Sequence, residues 1–287
     1  MFHRGRNDRP LAIFVSGMGI DISIWSDPQK TKVMGGLYPL KSLVKGVGPN
    51  ARTAFMDLQD REFSVLLWNQ KRPAGPIEIA VDELRGLIAE YKEYAGEGIL
   101  LICHSRGGLI ARKYLEKGDN LVRCVITLAS PHHGTTMAKW AAYLSPIGSS
   151  LEYILKGIRK EDINSAVHKI LRFLDGKGLR EMLPDSDFFK NLRDSKQKGT
   201  RYISIGGTNP DFVRIGGGLP LFELLSKVIP SGLIPEELRE GCGDGMVSAA
   251  SAVLPYADDH YNFHVNHASV LFDEEVRGHV LKAAELL

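Results

Sequence analysis

Short apolar runs of strand length recur along the chain and are separated by stretches with helical periodicity. Six runs are predicted as β-strands: 11–15, 63–68, 99–103, 121–128, 201–206 and 260–265. Helices are predicted through 81–91 and 109–115, where apolar residues recur at helical spacing. A short helix is predicted over 37–44, and a closing helix follows Asp273, a suitable N-cap. This alternation predicts an α/β protein with a mostly parallel central sheet and helices on both faces.

Two segments break the alternation. Residues 137–200 show helical periodicity without a strand candidate, and their apolar stripes fall at 151–158 and 163–174. Residues 216–240 are glycine-rich at first and then apolar. Such stripes are typical of ordinary core, but an all-helical insertion in a parallel-sheet protein also suits a cap. We predict one domain over 1–287, with a helical cap or lid over about 137–200 and a second apolar insertion over about 216–240.

The composition is that of an ordinary globular protein and argues against nucleic acid as a partner and against a disulfide framework. The 287 residues are 44% hydrophobic, and 36 basic against 34 acidic residues leave a formal charge of +2. Because the charges are well mixed, no basic stripe is available for binding nucleic acid, and none is predicted as a partner. Cys103, Cys124 and Cys242 are odd in number and have no metal-ligand spacing, which argues against a disulfide framework.

The amino-terminal segment superficially resembles a signal peptide, since a charged lead precedes the apolar run at 11–15. That run is short and has no convincing cleavage site after it. It is therefore predicted as the first core strand, which favours a cytoplasmic protein. No apolar run reaches the length of a membrane span, so only transient contact with a membrane surface is expected. The oligomeric state is not indicated by the sequence.

The most informative stretch, at 99–109, reads I-L-L-I-C-H-S-R-G-G-L. It predicts a buried strand, a sharp turn with Ser105 at its tip, and a helix. Gly107 and Gly108 suit a turn in which the backbones of strand and helix approach closely. Alone, the pattern is also compatible with a plain strand-to-helix connection or a phosphate-binding turn. The working hypothesis is that Ser105 is a catalytic nucleophile.

A serine hydroxyl needs a base to take its proton and a carboxylate to hold that base. Asp244 and His267 follow the predicted strands at 201–206 and 260–265, so both are expected at the sheet edge where Ser105 lies. The order serine, acid, histidine is the one expected of α/β-hydrolases. His264 is the rival candidate for the base, and Asp258 and Asp259 are the rival candidates for the acid. Three further histidines could lie beside the nucleophile or line the site: His104, His132 and His133.

Ester chemistry through Ser105 would also require an oxyanion hole, formed by two N–H groups aimed at the carbonyl oxygen as it gains charge. The N–H of Arg106 lies at the start of the helix after the nucleophile, where the helix dipole is favourable. The N–H of Met18, in the loop after the first strand, is the second candidate. Arg106 is therefore expected to act through its backbone N–H rather than its charge.

Together these segments resemble α/β-hydrolases of the bacterial lipase and esterase type, including relatives of GPI inositol-deacylase. The matching segments are V-S-G-M-G, C-H-S-R-G-G-L-I-A-R, I-T-L-A-S-P-H-H-G-T, D-G-M-V and V-N-H-A. The resemblance implies Ser105 as nucleophile, Asp244 as acid, His267 as base, and Met18 and Arg106 as oxyanion donors. In two departures, Cys103 replaces the usual glycine of the turn and Ser16 replaces a usual histidine.

The function expected from this resemblance is hydrolysis of a carboxylic ester through an acyl-enzyme. The apolar stripes of the predicted cap, with the apolar run at 221–234, favour a lipophilic substrate. Thioesterase, peptidase and acyltransferase reactions use the same triad and stay open as alternatives. A non-catalytic binding protein of the same fold is a further alternative, although no catalytic position is broken. Some related lipases hold calcium near the base, but the surroundings of Ser269 lack the matching aspartate, and neither a metal nor a cofactor is predicted.

Overall fold

A computed structural model describes most of the chain. The described residues are 1–33, 38–40, 47, 50–137, 139, 177–212, 214–215, 219–220, 223, 232 and 234–287. The predicted stripes at 151–158 and 163–174 lie outside them, as does most of the predicted cap and of the second insertion. The division into one domain with two insertions therefore stays a prediction.

The described strands and helices are named here in chain order. The strands are β1 (Phe2–His3), β2 (Leu11–Val15), β3 (Lys32–Val33), β4 (Tyr38–Pro39), β5 (Ser64–Leu67), β6 (Ile99–His104), β7 (Val122–Leu128), β8 (Arg201–Gly207), β9 (Arg214–Ile215), β10 (Leu219–Pro220) and β11 (Asp259–Phe263). The α-helices are α1 (Ser23–Ser26), α2 (Ala54–Asp60), α3 (Ile77–Tyr91), α4 (Arg106–Leu115), α5 (Lys177–Arg180), α6 (Asp187–Asn191) and α7 (Glu274–Glu285). Short 3-10 helices cover Lys92–Tyr94, Glu236–Leu238 and Ser269–Leu271.

Seven of these strands form one sheet in the order β1-β5-β2-β6-β7-β8-β11. All neighbours run parallel except β1, which pairs antiparallel with β5. The strands β2, β5 and β6 are buried along their whole length, because a parallel sheet is covered on both faces. The mostly parallel sheet is confirmed, and each of the six predicted strands is found to within two residues.

Helices cover both faces of this sheet. The connection from β2 to β5 runs in one direction across the sheet, whereas those from β5 to β6 and from β6 to β7 run in the other. Since parallel crossovers are right-handed, the two directions place their helices on opposite faces. Accordingly, α3 packs against α4, whereas α7 and α1 pack against α2. Among the described residues, no helix is long and apolar enough to cross a membrane.

The short helix predicted over 37–44 is wrong at its start, although Leu40 is helical. Tyr38–Pro39 is strand β4 and pairs antiparallel with Lys32–Val33. Proline lacks a backbone N–H and disfavours a helical conformation in the residue before it, which explains the extended backbone. Residues 41–44 lie outside the described part. The closing helix is confirmed, and the Asp273 side chain accepts a hydrogen bond from the N–H of Val276 at 3.1 Å.

Candidate active site

Ser105 occupies a strained turn between β6 and α4. Its backbone has φ of +54° and ψ of −126°, a conformation that costs a non-glycine residue on the order of 1–3 kcal/mol. The helix behind it lies close to the sheet: a Cβ at Gly107 would lie 2.3 Å from the Val15 carbonyl oxygen. A Cβ at Gly108 would lie 2.3 Å from Ser130 Oγ. The strain is therefore at Ser105 itself, while Cys103 lies within the regular strand β6.

Three side chains from separate loops meet at this turn. His267 Nε2 is 3.0 Å from Ser105 Oγ, and His267 Nδ1 is 2.9 Å from Asp244 Oδ2. The second carboxylate oxygen of Asp244 accepts from the backbone N–H groups of Met246 and Val247, at 2.9 and 2.7 Å. Asp244 is thereby fixed, and an Nδ1–H on His267 would leave Nε2 free to accept the Ser105 proton.

The rival base and acids lie elsewhere. β11 ends at Phe263, so His264 is outside the strand; its side chain is 68% exposed and lies 3.5 Å from Glu240. Asp258 pairs with Lys196 and also accepts from the backbone N–H of Tyr202. Asp259 pairs with Arg201 at 2.7 Å. None of the three rivals contacts Ser105 or His267 through these bonds.

The histidines after β7 also take other partners. His132 is fully buried, and its Nε2 lies 2.9 Å from Thr127 Oγ1. Burial lowers the pKa of His132 well below its usual value, and the positive charge of Arg112 adds to this effect. The backbone N–H of His133 donates to Ser251 Oγ at 3.2 Å. None of these contacts involves Ser105, Asp244 or His267.

His104 lies directly beneath the candidate base. Its Nε2 is 2.8 Å from the His267 carbonyl oxygen, so this nitrogen carries the proton and donates it. Its Nδ1 is buried and has no partner among the described residues. Burial lowers the pKa of His104 to about 3, helped by the nearby His267 ring, while its hydrogen bond to His267 opposes the shift. His104 is therefore neutral at ordinary pH and holds the backbone of the base.

The lowered pKa of His104 predicts a loss of stability in acid. Between about pH 6.5 and pH 3 the unfolded chain binds a proton at this residue and the folded chain does not, so the free energy of unfolding falls as pH falls. We expect H104Q, which keeps a donor but cannot titrate, to reduce the slope of that free energy by up to about 1.4 kcal/mol per pH unit. Urea unfolding from pH 4 to 7 measures this slope; equal slopes in both proteins would contradict the prediction.

The two candidate oxyanion donors belong to the loop after β2 and to the residue that follows Ser105. Gly17 is so close to the turn that a Cβ there would lie 2.9 Å from Ser105 Cβ, which brings the loop after β2 against the serine. No acceptor for the Met18 N–H is found among the described residues. The N–H of Arg106 is in the first turn of α4, where N–H groups have no partner within the helix. Neither N–H group therefore has an acceptor among the described residues.

An apolar pocket opens directly above Ser105 and His267. It holds about 550 Å³ of space, including its open mouth. Besides Ser105, His104 and His267, its walls are formed by Met18, Ile20, Ile24, Leu40, Leu179, Met182, Phe212, Met246 and Ala268. Leu179 and Met182 belong to the carboxyl end of the predicted cap. Among the described residues, no group of three or more His, Cys, Asp or Glu side chains is arranged to hold a metal ion.

Solved structures with a similar architecture include bacterial and archaeal hydrolases. The mature form of Bacillus licheniformis lipase BlEst2 matches with a TM-score of 0.54 and 17% identity, over 99% of this chain and 98% of that one. Its propeptide form matches with a TM-score of 0.59 and 16% identity, over 98% of this chain but 52% of that one. The chain has the α/β-hydrolase fold. A carboxylesterase structure from the thaumarchaeon Nitrososphaera gargenis also matches this chain, with a TM-score of 0.51 and 13% identity, over 100% of this chain and 93% of that one.

Sequence comparisons add less about this chain. A family model described as a domain of unknown function, DUF7379, matches residues 80–212. That interval contains β6, the turn at Ser105 and β7, but neither Asp244 nor His267. No curated protein matches the chain. The likeness to known structures therefore concerns the fold, and the chemistry of the site has to be argued from its own residues.

Proposed function

We propose that this protein is a serine hydrolase that cleaves carboxylic esters of lipophilic acyl groups through an acyl-enzyme. The observation that carries the proposal is the pair of hydrogen bonds from Ser105 Oγ to His267 Nε2 and from His267 Nδ1 to Asp244 Oδ2, at 3.0 and 2.9 Å. A buried serine in a strained turn, held by a histidine and an acid, is the arrangement that nucleophilic acyl transfer requires. The lipase and carboxylesterase neighbours of the fold agree with it.

In the proposed reaction, Ser105 Oγ attacks the ester carbonyl while His267 Nε2 takes the serine proton. The carbonyl oxygen becomes an oxyanion, to which the N–H groups of Met18 and Arg106 donate; each such donor contributes on the order of 3 kcal/mol. The intermediate collapses, the carbon–oxygen bond of the ester breaks, and His267 returns the proton to the departing alcohol. Asp244 keeps its hydrogen bond to Nδ1–H throughout and stabilises the imidazolium.

The second half of the reaction releases the acid. A water molecule attacks the acyl-enzyme, His267 takes one of its protons, and the second oxyanion occupies the same N–H groups. When this intermediate collapses, the proton passes to Ser105 Oγ and the free acid departs. The order of events is the first half in reverse, with water in place of the alcohol.

The lining of the pocket supports a lipophilic acyl group. Its walls near Ser105 are aliphatic, thioether and aromatic side chains, among them Ile24, Met182 and Phe212. Apolar lining with a few polar groups at one end is typical of small-molecule sites, in which the apolar part provides affinity and the polar part orients the ligand. We therefore place the acyl chain along these residues and the ester carbon over Ser105.

A fluorophosphonate probe and p-nitrophenyl esters of two to sixteen carbons test the proposal together. Wild type is expected to be labelled and to hydrolyse a part of the ester series, whereas S105A does neither. The matched control is S130A, because Ser130 is also buried and its Oγ has no partner among the described residues. Labelling that survives in S105A would refute Ser105 as nucleophile.

The same assay separates the alternatives. A wild type that is neither labelled nor active on any ester would indicate a binding protein of this fold. Faster cleavage of the matching thioesters would indicate a thioesterase. Transfer of the acyl group to an added alcohol in preference to water would indicate an acyltransferase. Chromatography of the products measures this transfer.

A further inference from the structure

The side chain of Arg106 is the largest charged group in the interior near the site. Its exposed fraction is 0%, although it directly follows Ser105. Glu181 and Glu83 act on it only through their charge, and neither is hydrogen-bonded to it. A buried cation is costly unless its N–H groups find acceptors, so its bonds indicate what the residue is retained for.

The guanidinium donates to three oxygens in the segment that follows β5. Nη1 donates to Gln70 Oε1 at 2.9 Å and, more weakly, to the Pro73 carbonyl oxygen at 3.5 Å. Nη2 donates to the Gly75 carbonyl oxygen at 2.6 Å. Burial lowers the pKa of Arg106 to about 10, opposed by the charges of Glu181 and Glu83, so the guanidinium stays protonated at neutral pH. The planar fork thus fixes three points of one loop.

Two of the three residues that accept from Arg106 are also hydrogen-bonded to the loop that carries Met18. Gln70 Nε2 donates to the Ser16 carbonyl oxygen at 2.8 Å. The Pro73 carbonyl oxygen also accepts from the backbone N–H of Gly19 at 3.2 Å. The chain is therefore hydrogen-bonded on both sides of Met18. Each of these two hydrogen bonds is made by a residue that Arg106 also contacts.

We propose that the Arg106 side chain is a positioning residue that sets the distance between the two N–H donors of the oxyanion hole. One donor is its own backbone N–H, and the other is the N–H of Met18, which its guanidinium holds through Gln70 and Pro73. The inference rests on the proposed function, since it assigns a task in the same reaction. It gives the guanidinium group of Arg106 a role of its own, in addition to the role of the Arg106 backbone N–H as an oxyanion donor.

The chemistry of this arrangement explains why arginine serves here better than lysine. Arg106 needs donors in two directions at fixed angles, which a planar guanidinium has and an ammonium group lacks. Gln70 is equally specific, because it accepts from Arg106 with Oε1 and donates to Ser16 with Nε2. Neither group touches the substrate pocket, so a change in either is expected to alter the rate of reaction more than the binding of substrate.

The test compares an ester with its thionoester, in which sulfur replaces the carbonyl oxygen. Sulfur accepts hydrogen bonds weakly, so the thionoester gains less from an oxyanion hole. We expect R106M to lower kcat for the ester about 10- to 100-fold, less than the loss of a whole donor, with KM nearly unchanged and the thionoester much less affected. R106K is expected to fall between R106M and wild type. Labelling by fluorophosphonate corrects each rate for the fraction of folded sites.

Q70E provides a second variant in case R106M does not fold. The carboxylate still accepts from Arg106 but cannot donate to Ser16, so the ratio of ester to thionoester rate is expected to fall here too. The control is R112K, on the same helix, because Arg112 is also buried but donates to Asp194 and to the His132 carbonyl oxygen. Its ratio is expected to equal that of wild type.

Two results overturn the proposal in distinguishable ways. If wild type is active and the ester and thionoester rates fall by the same factor in R106M and Q70E, the side chain is structural and this inference alone is wrong. If wild type is labelled by no fluorophosphonate and cleaves neither substrate, the proposed function is wrong and this inference falls with it.

Discussion

Replacing either Ser105 or His267 with alanine is expected to lower kcat for ester hydrolysis by about a million-fold, and replacing both together is expected to cost little more. The effects are not expected to add because the two residues would perform one step of the proposed reaction: His267 Nε2, 3.0 Å from Ser105 Oγ, would remove the proton that makes the serine nucleophilic. Without either partner, the pocket and the N–H groups of Met18 and Arg106 leave only residual catalysis.

Steady-state kinetics on the best p-nitrophenyl ester measure this effect, with thermal unfolding as a check on the fold. The matched control is H264A, because His264 lies three residues before His267 but is exposed and faces Glu240. Its kcat is expected to equal that of wild type. A large loss of kcat in H264A with retained activity in H267A would exchange the assignments of the two histidines.

The second largest effect is expected for D244N, which should lower kcat about ten-thousand-fold at neutral pH. Asn keeps an oxygen for the N–H groups of Met246 and Val247, so the loop conformation is preserved. Its amide nitrogen, however, would face His267 Nδ1 and donate to it. The proton of a neutral His267 would then sit on Nε2, which could no longer accept from Ser105.

The matched control for D244N is D259N, since Asp259 is a rival acid that pairs with Arg201 at the other end of β11. D259N is expected to keep the activity of wild type. Proton NMR of the downfield imidazole region reports the tautomer of His267 in each protein. If D244N keeps a low-field Nδ1–H signal and full activity, the acid of the site is another residue.

The sheet could be predicted from the sequence because its strands are continuous apolar runs. β2, β5 and β6 have no polar face, so runs such as 11–15 and 99–103 stand out against their surroundings. β1 has two residues and lies at the sheet edge, and so short a pair shows no periodicity. Helix α2 was missed although Thr53 is a recognisable N-cap, whose Oγ1 accepts from Met56 N–H.

The candidate triad could be predicted because each member directly follows a strand or lies in a glycine-rich loop, and parallel strands bring such loops to one edge. The environment of the Arg106 side chain could not. Its acceptors are Gln70, Pro73 and Gly75, more than thirty positions away in a loop without a motif. A bond between two loops depends on the final path of both backbones, which local patterns do not encode.

One further bond concerns how this protein could diversify. The backbone N–H of Thr135 donates to the Met182 carbonyl oxygen at 2.8 Å, so positions 135 and 182 are held side by side. Doubling the length of a flexible segment between joined ends costs only about 0.6 kcal/mol of closure entropy. Changes in chain length between positions 140 and 176 are expected to affect β6, β7 and the candidate triad little, whereas Leu179, which packs in the core, and Glu181, which accepts from the Ile77 N–H, have to be kept. New substrate preferences are therefore expected to arise by changes within this one segment, while the residues of the proposed active site stay the same.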